Sequence, residues 1–87
     1  MKISIEPHTL KRAEERGTTK EEIYDVTNTW LNITAKSNRL AKYKVYKFNK
    51  ERNNVFYKQK RVEVFFIVEN NIIITVTVYV FYGKWEE

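Results

Sequence analysis

Two apolar runs near the end of the chain, Arg61–Val68 and Ile72–Phe81, are separated only by Glu69, Asn70 and Asn71. Both are rich in β-branched and aromatic residues, and polar side chains recur at every second position of Arg61-Val62-Glu63-Val64 and Thr75-Val76-Thr77-Val78. That period belongs to a pleated strand with one buried face, and the short polar link turns two such strands into an antiparallel hairpin. A three-residue loop over Glu69–Asn71 pairs Val68 with Ile72 and sets Phe66, Val64 and Val62 opposite Ile74, Val76 and Val78. One face is then wholly apolar, and the other carries Arg61 opposite Tyr79, Glu63 opposite Thr77 and Phe65 opposite Thr75. A two-residue loop mixes apolar and polar side chains on both faces, so the pattern favours the longer turn. Asn70 or Asn71 supplies the left-handed residue, a conformation asparagine tolerates.

The preceding segment, Leu31 to Lys60, adds strand candidates at Leu31–Ala35, Tyr43–Phe48 and Val55–Lys58, with a turn at Lys36-Ser37-Asn38-Arg39 and a polar loop over Asn49–Asn54. The first thirty residues have a different character. Ile3–Ile5 read as a short extended arm. Pro7 suits the first turn of a helix that stops near Gly17, and Thr19-Lys20-Glu21-Glu22 is a capping box opening a second helix. Ile23, Val26 and Trp30 or Leu31 form its apolar stripe. The expected fold is α+β, with both N-terminal helices packed on one face of a mainly antiparallel sheet of four to five strands. Val62, Val64, Phe66, Ile74, Val76 and Val78 are buried beneath them, and Arg61, Glu63, Thr75, Thr77 and Tyr79 remain on the open face.

At 87 residues the chain has room for one domain, 1–87, burying roughly 60–65% of the surface of the unfolded chain. No linker or repeat divides it. It contains no cysteine and a single histidine, which excludes disulfides and cysteine-ligated metals and disfavours a structural zinc site. No signal peptide is present and the Val62–Val68 run is too short to span a bilayer, so a cytoplasmic location without membrane contact is expected. No cofactor is implied: glycine-rich phosphate loops, a Gly-x-Ser-x-Gly elbow and a carboxylate cluster are all absent.

The net charge of +5 is unevenly placed: residues 31–60 hold nine basic side chains and one acidic. Lysines and arginines alternate there with Tyr43, Tyr46, Phe48, Phe56 and Tyr57, a mixture suited to phosphate attraction and base stacking. Lys42, Lys44, Tyr46, Lys47 and Lys60, with Arg16, are therefore candidate nucleic-acid contacts. A lysine-rich edge strand that resists unwanted pairing has the same composition.

A third feature lies in the first helix. His8, Arg12 and Glu15 fall within roughly 60° of each other on its wheel, away from Leu10 and Ala13, and Arg16-Gly17 follow. Histidine moves protons near neutral pH, and arginines hold phosphate. A solvated helix face with an Arg12–Glu15 pair explains the same spacing.

The motif His8-x-x-x-Arg12-x-x-Glu15-Arg16-Gly17, followed by Thr19-x-x-Glu22-Ile23, resembles the opening of a small domain family of unknown function grouped with RelE-type and BrnT-type toxins. Val62-Glu63-Val64 and Thr75–Tyr79 resemble that family's closing hairpin. The resemblance implies a compact RelE-like α+β fold, ribonuclease ancestry, RNA or ribosomes and an antitoxin-like protein as candidate partners, and chemistry on the open sheet face. Metal-independent RNA cleavage needs a base, an acid and cations for phosphate charge. His8 or Glu63 serves as base and Tyr79 or His8 as acid, with Arg12, Arg16, Lys60 and Arg61 as the clamp. The catalytic candidates are thus His8, Arg12, Arg61 and Tyr79. A nonenzymatic nucleic-acid binder and a protein-interaction domain, docking through exposed aromatics and Phe81–Trp85, are the competing readings.

Overall fold

A computed structural model describes residues 2–29, 31–33 and 39–85. The order of elements is β1 (Lys2–Ser4), α1 (Pro7–Arg16), α2 (Lys20–Thr27), β2 (Asn32–Ile33), β3 (Leu40–Arg52), β4 (Val55–Glu69) and β5 (Ile72–Gly83). They form an α+β unit with one five-stranded sheet in the order β1-β5-β4-β3-β2.

Both helices begin, and α1 ends, as the sequence dictates; α2 stops at Thr27, short of the Leu31 expected on its apolar stripe. Pro7 opens α1, and Gly17 closes it in a left-handed conformation at φ 93°, its N–H donating to the Ala13 carbonyl. Thr19 caps α2 by accepting from the Glu22 N–H. The expected reciprocal half of the capping box does not form: the Glu22 carboxylate instead takes the Thr18 hydroxyl and the Lys60 ammonium, each at 2.8 Å.

The sheet is mixed, which corrects the expectation of a mainly antiparallel one. The N-terminal arm joins it as β1, parallel to β5, while β2–β3, β3–β4 and β4–β5 are antiparallel. A strand separated from its neighbour by helices can return in parallel, whereas hairpins cannot. The two candidates Val55–Lys58 and Arg61–Val68 are one strand, because Gln59 and Lys60 continue the ladder. The polar loop expected over Asn49–Asn54 is also mostly strand. Only Asn53 and Asn54 turn, and Asn49 is a bulge residue at φ 49° where the β3–β4 register slips. Of the described part of the first candidate Asn32–Ile33 is strand; Thr34, Ala35, the Lys36–Asn38 part of the expected turn, and Trp30 lie outside the described residues.

The β4–β5 hairpin departs from the expected register for a definable reason. Asn70 and Asn71 both adopt positive φ, 50° and 65°, and form a two-residue turn that pairs Glu69 with Ile72. Tight turns of that kind need two left-handed residues, and paired asparagines provide them without glycine. Near the turn the inward residues of β5 are therefore Ile73 and Thr75. Val76 then has no ladder partner, since Phe66 pairs with Thr75 and Phe65 with Thr77. This bulge shifts the phase by one residue, so Val78 faces inward. The bulge resolves the mismatch of apolar and polar residues that a two-residue turn otherwise creates. Ile74 and Val76, expected in the core, are half-buried, and Thr75, expected on the open face, is buried.

The core lies between the helices and one sheet face. Ala13 from α1, with Ile23 and Val26 from α2, packs on Val62, Val64, Phe66, Ile73 and Val78. Thr75 is accommodated there because its hydroxyl accepts from the Glu6 N–H at 3.0 Å and donates to Thr9 at 3.1 Å.

Candidate functional site

The basic middle of the chain is placed first by where its side chains point. Lys42, Lys44, Tyr46 and Lys60 share ladder positions with Val64, Val62 and each other, so they lie on the face the helices cover. Their cations meet the ends of those helices. Lys60 Nζ donates to the Gly17 carbonyl and to Glu22, both at 2.8 Å, and only 11% of its side chain is exposed. Arg52 donates to the Glu15 carbonyl at 2.9 Å, and the Tyr82 hydroxyl to the Arg16 carbonyl at 2.6 Å. Three successive carbonyls at the end of α1 thus receive donors from three different strands, as unpaired carbonyls and the negative end of a helix dipole favour. At the end of α2, Lys42 bonds the Thr27 carbonyl at 3.2 Å. Lys44 and the Tyr46 hydroxyl share Asp25 Oδ2 at 2.7 and 2.6 Å. The Lys44 bond first, and then the Tyr46 bond, hold Asp25 below the usual carboxylate range. Burial first, then the Asp25 bond, pushes the Tyr46 phenol up. Lys47, by contrast, is exposed and makes no such bond among the described residues.

The helix motif meets the other side of the sheet at its edge. Among the described residues no strand pairs with the outer side of β5 beyond Ile74, and α1 lies along it. His8 Nε2 bonds the carbonyl of the bulge residue Val76 at 2.7 Å, which requires the proton on that nitrogen. Arg16 donates to the Val78 carbonyl at 2.6 Å. Both side chains occupy strand-edge acceptors that would otherwise be open to another chain. Arg12 points outward and, among the described residues, reaches only Glu15, at 3.4 Å.

The uncovered face presents a grid. Across β3, β4 and β5 one row reads Tyr43, Glu63, Tyr79, and the next reads Val45, Arg61, Phe81. The expected pairing of Arg61 with Tyr79 is therefore corrected: Tyr79 faces Glu63, and Arg61 faces Phe81, because the tighter turn and the bulge displace β5 by two residues. Arg61 Nε donates to Glu63 Oε2 at 2.8 Å, and its guanidinium lies 3.9 Å from the centre of the Tyr43 ring. Phe65 meets Tyr79 edge-on at 5.6 Å. Arg16, while holding the Val78 carbonyl, also stands 4.9 Å above the Tyr79 ring. Tyr79 and Phe81 are 40% and 47% exposed. A carboxylate, a phenol and two guanidiniums are thus drawn together on an accessible aromatic surface.

Of the catalytic candidates, Arg61 and Tyr79 belong to this cluster. Among the described residues no hydrogen bond, ion pair or ring contact joins His8 or Arg12 to it. Arg16, read from sequence as a nucleic-acid contact, is the residue that links the helix motif to the open face. Asp25, Arg52 and Tyr82 anchor the helices, a role the sequence does not announce: Arg52 reads there as part of the basic segment and Tyr82 as part of the Phe81–Trp85 patch. Their signal was weak, since each acts through a partner 19 to 66 positions away.

Among the described residues no cluster of histidine, aspartate and glutamate side chains is arranged to hold a metal ion, and no helix is long and apolar enough to cross a membrane. No protein-family model, curated protein or solved structure matches the chain.

Proposed function

We propose that the protein is a toxin-type ribonuclease with a RelE-like fold, acting without metal on RNA or ribosome-bound mRNA through its uncovered sheet face. The observation that carries this reading is the placement of Glu63 directly opposite Tyr79, with Arg61 on the carboxylate and Arg16 over the phenol ring. Glu63 takes the proton of an RNA 2′-hydroxyl. The 2′-oxygen then attacks the adjacent phosphorus as the bond to the 5′-oxygen breaks, and Tyr79 protonates that leaving oxygen. The products are a 2′,3′-cyclic phosphate and a 5′-hydroxyl, and solvent restores the two protonation states. Arg16 and Arg61 stabilise the charge that grows on the phosphate. The resemblance of the His8–Gly17 motif to the RelE and BrnT grouping points the same way.

Purified protein should cleave RNA in the presence of EDTA and leave cyclic-phosphate ends. Glu63→Gln and Tyr79→Phe should each slow cleavage by roughly 10²- to 10⁴-fold while leaving the thermal transition in place. Intact RNA, both free and on translating ribosomes, would overturn the enzymatic reading. The second reading, RNA binding without cleavage, is favoured by the Arg61–Glu63 pair itself, in which base and clamp already hold each other; it predicts retention of RNA with no products.

A further inference from the structure

Phe81 stands apart from the chemistry just described, yet its position is hard to explain by packing. It is a large apolar side chain, nearly half exposed, on the sheet face away from the core. Its ring lies 6.3 Å from that of Tyr79 at an interplanar angle of 26°, so the two are close to parallel. Phe65 fixes the Tyr79 ring from the side at 90°. Two positions further on, β5 reaches Gly83, where the Trp85 indole lies against the glycine and the Trp85 backbone N–H donates to Gln59 Oε1 at 2.6 Å. Aromatic groups therefore follow the strand at alternate positions, about 6.6 Å apart. Arg61 is directly across from Phe81, and Arg16 is over Tyr79. Cations flank the strip at its middle and at one end.

We infer that Phe81 is the floor of a nucleobase subsite, on which one base of a single-stranded RNA stacks beside the Glu63–Tyr79 pair. The assignment rests on the proposed function and names its substrate as unpaired RNA. Open sheets use exposed aromatics to stack two or three successive bases, and a duplex would hide those faces. Stacking tolerates any base, because every base has a π-face. The strip selects strandedness, and the arginines at its side hold the backbone.

The test uses a fluorescent 2′-O-methyl uridine dodecamer, whose blocked 2′-oxygen prevents cleavage, and an abasic dodecamer of the same backbone. Binding is followed by anisotropy. Phe81→Ala should weaken binding of the uridine oligomer about 5- to 100-fold. Phe81→Trp should restore it, and neither change should alter the weaker binding of the abasic oligomer. The exposure of Phe81 makes both variants foldable, which circular dichroism checks. Equal affinity of wild type and Phe81→Ala, or an equal loss on the abasic oligomer, overturns the subsite. Cleavage by wild type with no base-dependent binding removes the subsite and leaves the ribonuclease standing. A Phe81-dependent affinity without cleavage does the reverse.

Discussion

The two faces of this sheet use the same residue types for different ends. On the covered face, lysine, arginine and tyrosine close the C-termini of two helices: Lys60, Arg52 and Tyr82 reach α1, and Lys42, Lys44 and Tyr46 reach α2. On the open face, Arg61, Tyr43 and Tyr79 surround one carboxylate, and of the helices only the Arg16 side chain is seen, among the described residues, to reach over a ring there. Composition is nearly the same in both places. What differs is the register, which decides whether a cation finds a helix carbonyl or solvent. A basic, aromatic segment is thus not one surface but two, interleaved with the period of the strand.

The comparison breaks most visibly under a buried charge. Val64→Asp places a carboxylate in the core between the helices and β4, where Val64 has no exposed surface. An unpaired buried charge costs several kcal/mol, comparable to the roughly 5 kcal/mol expected for a domain of this size, and the protein should unfold. Thr77→Asp, on the opposite face, should shift stability by less than about 1 kcal/mol in urea titration.

A smaller effect separates two lysines of the same segment. Lys60→Glu sets a carboxylate against Glu22 and the Gly17 carbonyl, and should cost about 3–5 kcal/mol. Lys47→Glu should leave stability within about 0.5 kcal/mol and weaken RNA binding instead. If both variants only weaken binding, the covered lysines are not structural.

The smallest effect is a pH dependence. Asp25 titrates below its ordinary 3.8 in the folded protein. Its ionised form therefore adds stability that is complete above about that pH and disappears as pH falls through the lower folded value. Tyr46, and Tyr82 through burial, titrate above their ordinary 10.0. Their contribution is complete below that pH and is lost as pH rises through the higher folded values. Chemical denaturation across pH should show Tyr46→Phe losing less stability than wild type above pH 10, and Asp25→Asn losing less below pH 4. Parallel curves would dissociate the Asp25 cluster from folding.

The sequence made some of this legible. Local rules were sufficient for both helix starts and for the end of α1, because Pro7, Gly17 and Thr19 act on their immediate neighbours; they did not mark the end of α2 at Thr27. They were also sufficient for the burial of Val62, Val64 and Phe66, which follows from alternation along β4. They failed at Val76, where one unpaired residue reverses the phase of β5; two asparagines can close a two- or a three-residue loop, and nothing local announces a bulge. The candidate site suffered from the same gap. Arg61, Glu63 and Tyr79 could be put on one face, but their partners depended on that register. The role of His8 at a strand carbonyl depended on a contact 68 positions away, which helix spacing does not encode.

The central claim is that RNA meets the open face and not the lysine-rich covered one. An amide-detected NMR titration with the 2′-O-methyl uridine dodecamer tests it directly. The account predicts shifts concentrated at Tyr43, Arg61, Glu63, Tyr79 and Phe81, with Asp25, Lys42, Lys44 and Lys60 unmoved. Shifts centred on α2 and the covered lysines, or none on β5, would contradict it.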